Sequence, residues 1–171
     1  TIPMPLSLIR GDIAQVQADA LVNAANSHLQ QGSGVCGAIF RAAGARQLQA
    51  ACDTIGYCPA GQAVLTPGFD LAAQYIIHTV GPIWRGGQDG EEALLRSCYR
   101  QSLALAQAHQ LRSIAFPLIS AGIYGYPKEQ AIRIALEEFD RFLQTHEMTI
   151  ILVVYDQETL EQAEKLKQEL A

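Results

Sequence analysis

Val22–Gly44, VNAANSHLQQGSGVCGAIFRAAG, passes from the end of an apolar strand, through Asn23 and Asn26, into a glycine-rich loop that opens an alanine-rich helix. A helix N-terminus presents unpaired backbone N–H groups and a partial positive charge, which favours an anion. Gly32 and Gly34 let the backbone come close to a ligand, and Ser33 adds a hydroxyl donor. Asn23 and Asn26 can each donate and accept, which suits a sugar hydroxyl or a positioned water. The stretch therefore reads as a phosphate-and-sugar site, with a plain capped helix entry as the alternative.

Working outward, strand-length apolar runs alternate with amphipathic segments. The strands are expected at Leu6–Arg10, Ala20–Asn23, Gln62–Pro67, Tyr75–Val80, Ser113–Ile119 and Thr149–Tyr155. YIIHTV, SIAFPLI and TIILVVY are nearly continuous apolar runs, as strands covered on both faces require. Leu94, Leu95, Cys98, Tyr99, Leu103 and Ala106 recur at helical spacing. So do Ile132, Ala135, Leu136, Phe139 and Leu143, and then Leu160, Ala163 and Leu166. Strands alternating with helices predict an α/β layered domain with a largely parallel sheet. Residues 1–171 are read as one domain, since no linker or internal repeat stands out.

Composition narrows the function classes. Hydrophobic residues make up 49% of the chain, ample for a packed core, and charged residues 17%. The net charge of −5 argues against a general nucleic-acid binder but not against one small anion held by backbone amides. Ile150–Tyr155, the longest apolar run, falls far short of the roughly 20 residues that span a bilayer. The opening TIPMPLSLIR lacks a cationic start and does not read as a signal peptide; Thr1 suggests a processed or trimmed terminus. Cys36, Cys52, Cys58 and Cys98 form no C-x-x-C pair and the histidines are scattered, so no metal site is expected. Unpatterned thiols fit a reducing, cytoplasmic setting.

Ligands of open α/β sheets gather beyond the carboxyl ends of the strands, and several polar segments are expected there. Asp12, in Arg10–Ile13, can accept from an exocyclic amine such as that of adenine, or simply cap a turn. His78, in HTVGPIW, reads as a satisfied core residue, with no carboxylate or nucleophile beside it in sequence. Ser120–Pro127, SAGIYGYP, is a second glycine-containing strand-to-helix loop suited to closing over phosphates. Tyr155 can stack on a base, while Asp156 reads as a helix cap. Neither loop carries the P-loop pattern, and Gly32, Gly34 and Gly37 do not abut the strand as a dinucleotide fingerprint would.

Together these segments resemble the macrodomain family of ADP-ribose-binding modules. GDI (Gly11–Ile13), VNAAN (Val22–Asn26), GSGVCGAI (Gly32–Ile39), HTVGP (His78–Pro82) and SAGIYGYP (Ser120–Pro127) occur in the family's order and cover essentially the whole chain. HTVGPIWRGG and YGYP are most similar to the bacterial mono-ADP-ribosyl hydrolase and O-acetyl-ADP-ribose deacetylase branch. The resemblance implies a three-layer α/β/α sandwich around a mixed sheet of about six strands. It places Asp12 and the Ile13 amide at the adenine amine, with Tyr155 near the ring. Gly32, Ser33, Gly34, Val35 and Cys36 would form the loop around the distal ribose and diphosphate. Ser120, Ala121, Gly122, Ile123 and Tyr124 would clamp the phosphates from the opposite side. Asn26 would touch the distal ribose next to the bond that is cut, as the catalytic residue.

The implied activity is hydrolysis of an ester at the distal ribose, on mono-ADP-ribosylated Asp or Glu side chains or on O-acetyl-ADP-ribose, without a cofactor. One departure matters: the hydrolase branch commonly carries an Asp where this chain has Cys36, and often a His where it has Phe40. A thiol is a poor substitute for a carboxylate base. Yet related viral macrodomains resemble this chain in carrying G-V-C, and that group includes hydrolases. The expected chemistry is therefore substrate-assisted: the diphosphate and loop backbone hold the water while Asn26 orients the ribose. The competing reading is a non-catalytic reader of ADP-ribose or mono-ADP-ribosylated proteins. An RNA or poly-ADP-ribose binder is disfavoured by the acidic charge.

Overall fold

The computed structural model describes residues 5–171; the terminus reading at Thr1 lies outside them. Six strands form one sheet in the order β1-β6-β5-β2-β4-β3: β1 (Leu6–Arg10), β2 (Ala20–Ala24), β3 (Ala63–Pro67), β4 (Tyr75–Thr79), β5 (Ser113–Phe116) and β6 (Thr149–Val154). All neighbours pair parallel except β3 and β4, so the sheet is mixed through one edge strand. The expected strands are present, but the fifth is shorter than SIAFPLI suggested. It stops at Phe116 because Pro117 has no N–H to continue the ladder.

Helices cover both faces, which explains the continuous apolar strands. Alternation sends Leu21, Ile76, Ala115 and Val153 toward α1 (Gly34–Ala43) and α2 (Ala45–Ile55). Val22, Ile77, Phe116 and Leu152 meet α3 (Glu91–Ala108), α4 (Lys128–Leu143) and α5 (Gln157–Leu170). The arrangement is a three-layer α/β/α sandwich. In the α3–α4 layer, Tyr99, Phe116 and Phe139 pack with ring centroids 5.0–5.4 Å apart. Burial of such a ring is worth about 3–5 kcal/mol against truncation to alanine. The Tyr99 hydroxyl also accepts from the Ile119 N–H at 3.2 Å, tying this core to the loop that follows β5.

The topology opens a crevice between β2 and β5. The chain leaves β2 toward α1 on one face and leaves β5 toward α4 on the other, so the connections diverge between adjacent strands. β2 and β5 pair only at Ala20–Ile114 and Leu21–Ala115. At the opposite end Asp19 fastens them: its Oδ2 accepts from the Arg112 and Ser113 N–H groups, and its own N–H donates to Ser113 Oγ. The strands are thus pinned at one end and part at the other, where an α/β sheet binds its ligands.

Candidate functional site

The carboxyl ends of the parallel strands bring the sequence-predicted segments to one rim. Asp12 follows β1, Tyr155 follows β6, Ser120–Tyr124 follows β5, Asn26–Cys36 follows β2 and Gly81–Pro82 follows β4.

At the β1–β6 end, Asp12 is exposed and its Oδ1 caps the short 3-10 turn Ile13–Gln15 by accepting from the Ala14 N–H at 2.9 Å. Ile13 is buried beneath it. Tyr155 is 90% exposed, its ring free to meet a planar group. Asp156 caps α5 through the Thr159 N–H at 2.8 Å, and that bond holds its carboxyl below the usual range.

The β2 loop is braced from within. Asn26 Oδ1 accepts from the Gln30 N–H at 3.0 Å while its Nδ2 donates to the Gln30 carbonyl at 2.8 Å. A carboxamide has two hydrogens and two acceptor sites, so Asn26 holds the loop and still has one of each to offer outward. Ser33 precedes α1 in extended backbone without a side-chain cap, which leaves the N–H groups of the first turn for a ligand. Gly37 is required by crowding: a Cβ there would stand 2.6 Å from the Gly32 carbonyl oxygen.

Cys36 is only 7% exposed. Its Sγ lies 3.8 Å from the Gln30 carbonyl and 3.6 Å from Asn23 Nδ2. The thiol therefore packs behind the loop. Asn23 is turned inward as well: it is 1% exposed, and its Nδ2 lies 3.1 Å from His78 Nδ1. Strand alternation explains this, since Asn23 shares the α1-facing side of β2 with Leu21. It supports the loop from below instead of lining its surface.

His78 is the core residue expected. With Nδ1 accepting from Asn23, Nε2–H is left to donate to Thr66 Oγ1 at 2.9 Å. Burial lowers its pKa from 6.5 to about 4, so the ring is neutral at physiological pH.

The β5 loop forms the opposite wall. Ser120 sits at φ +66°, a left-handed conformation uncommon outside glycine, and is fixed there by neighbours. Its Oγ donates to the Pro82 carbonyl at 2.8 Å, and its carbonyl accepts from the Tyr126 N–H at 2.9 Å. Gly81 makes this possible, because any Cβ would overlap Ser120 Oγ and Ile119. Gly122 and Ile123 stay exposed, while Ala121 and Tyr124 are half-buried.

One residue with a site role had little sequence signal. Glu91, buried at the start of α3, accepts from the N–H groups of Arg85 (2.8 Å), Gly87 (2.9 Å) and Asp89 (2.7 Å). Those bonds, led by the Arg85 N–H, lower its pKa from 4.5 to about 2 and fix the Arg85–Gly90 loop beside the rim. Among the described residues, no His, Cys, Asp or Glu cluster could hold a metal ion. No helix among them is long and apolar enough to cross a membrane.

The arrangement offers backbone N–H donors from two facing loops, an amide at one flank and a carboxylate with an exposed aromatic ring at the other. Residues 22–135 match the family described as Macro domain. An O-acetyl-ADP-ribose deacetylase from Salmonella newport is 49% identical over 160 residues, covering 90% of this chain and 89% of that protein. An Oceanobacillus iheyensis macrodomain solved with ADP superposes with a TM-score of 0.91 at 39% identity, covering 96% of this chain and 90% of that one. A Trypanosoma brucei macrodomain in complex with ADP-ribose superposes at 0.87 with 41% identity, covering 94% and 68% of the two chains.

Proposed function

This chain belongs to the macrodomain family, and on that premise we propose that it binds ADP-ribose in the β2–β5 crevice and hydrolyses an ester at the distal ribose. The observation that carries the reading is the pair of facing loops at the switch point. The uncapped first turn of α1 and the Ser120–Tyr124 loop follow the adjacent strands β2 and β5 at the end where the two part. A diphosphate bridging the loops would put the adenine at Asp12 and Tyr155. The far ribose would then lie at Asn26.

The chemistry is substrate-assisted. Cys36 supplies no base, since its thiol is packed behind the loop against Asn23 and the Gln30 carbonyl. Water held between the diphosphate and loop backbone attacks the ester, and Asn26 orients the ribose with the hydrogen and lone pair that Gln30 leaves unused. Positioning carries much of the rate. The substrates are O-acetyl-ADP-ribose and ADP-ribose esters of Asp or Glu side chains.

A reader that binds without turnover is favoured by one observation, the Cys36 thiol in place of the usual carboxylate. Cys36→Asp separates the two. A high starting rate that changes little supports substrate assistance, whereas a large gain from near zero supports the reader.

A further inference from the structure

We infer that the cleft beyond Ser27 and Tyr124 is an acceptor subsite, which takes the polypeptide that carries the ADP-ribose ester. This rests on the binding reading above and names the substrate class of that site.

The strand order sets the direction. Along the rim the sheet runs β1-β6-β5-β2-β4. The base end lies over β1 and β6, and the reacting ribose lies over β2. A group attached to that ribose therefore continues over β4. There the structure holds a cleft of about 240 Å3, bordered by Ser27 and Tyr124 on the ribose side. Ser27 directly follows Asn26, and Tyr124 ends the phosphate-clamping loop, so the cleft opens from the candidate site itself.

Its size and lining select among acceptors. An acetyl group displaces on the order of two waters, ~60 Å3, and would leave most of the cleft unfilled. Pro82 and Leu94 line it with apolar surface, and Arg85, Asp89 and Glu91 bring both charge signs to its lining. Ile83, 49% exposed, adds apolar surface at the edge. That mixture suits a short peptide segment.

The wall is also pre-formed. Glu91 accepts three backbone N–H groups from inside the Arg85–Asp89 loop. The Trp84 N–H donates to the Tyr124 carbonyl at 2.8 Å, joining this wall to the phosphate clamp. Little ordering is left for an incoming peptide to impose.

The test is calorimetry with free ADP-ribose and with a peptide bearing ADP-ribose through a hydrolysis-resistant linkage, on wild type and Ala60→Trp. Ala60 lines the cleft but is exposed, so the indole occupies the cleft without entering the core. Wild type should bind the conjugate at least about fivefold tighter than ADP-ribose. Ala60→Trp should erase that preference while ADP-ribose affinity stays within about twofold. Equal wild-type affinities, or a preference that survives Ala60→Trp, would overturn the acceptor subsite and leave the ADP-ribose reading standing. Failure of free ADP-ribose to bind would overturn both.

Discussion

Acidification should destabilise this fold through His78. The ring is fully buried, and burial lowers its pKa from 6.5 to about 4. Between those values the unfolded chain binds a proton that the native state refuses. Stability from the neutral ring is therefore complete above about pH 6.5 and is lost progressively as pH falls toward 4. For this shift the loss between pH 7.5 and pH 5 is about 2 kcal/mol. The other histidines, His28, His109 and His146, are exposed. Urea unfolding at pH 7.5 and pH 5, at constant ionic strength, measures the loss directly. His78→Gln keeps a polar side chain between Asn23 and Thr66 but cannot titrate. It should be less stable at pH 7.5 and lose about 2 kcal/mol less than wild type on going to pH 5. An equal acid loss in wild type and His78→Gln would refute the reasoning.

Three further outcomes follow from single contacts. Gly37→Ala sets a methyl 2.6 Å from the Gly32 carbonyl oxygen; the displaced loop should weaken ADP-ribose binding at least about tenfold by calorimetry. Tyr155→Ala removes a ring that is 90% exposed. It should leave the melting temperature nearly unchanged while lowering ADP-ribose affinity several-fold, as loss of a stacking partner would. Glu91 titrates at about 2 instead of 4.5, so its stabilisation is complete above about pH 4.5 and fades as pH falls toward 2. Glu91→Gln should lower stability at pH 7 and flatten that acid limb in unfolding curves, and should speed hydrogen exchange at the Arg85, Gly87 and Asp89 amides.

Much of this fold was legible because local and global signals agree. VNAAN ends a strand, GSGVCGAI opens a helix, and the apolar runs of β4 to β6 require cover on both faces. Asp156 caps α5 as its position before the amphipathic stripe suggests. Apolar continuity over-read β5, where Pro117 ends the ladder. Asn23 was harder, because a polar residue at a strand end suits a ligand or a buried partner equally. Its partners, His78 and Cys36, are 55 and 13 residues away in sequence. Ser120 at positive φ and the Glu91 clasp were not legible for the same reason. Each exists only because distant segments meet: Ser120 with Gly81 and Pro82, and Glu91 with a loop folded back over the start of α3.

The central claim is tested most directly by ADP-ribose release from a glutamate-linked, mono-ADP-ribosylated acceptor, with Asn26→Ala alongside and calorimetry on both proteins. The account predicts that wild type binds ADP-ribose and removes the label, and that Asn26→Ala removes it far more slowly. Retention of the label at stoichiometric protein, with ADP-ribose binding intact, would contradict hydrolysis and leave a reader of the modification.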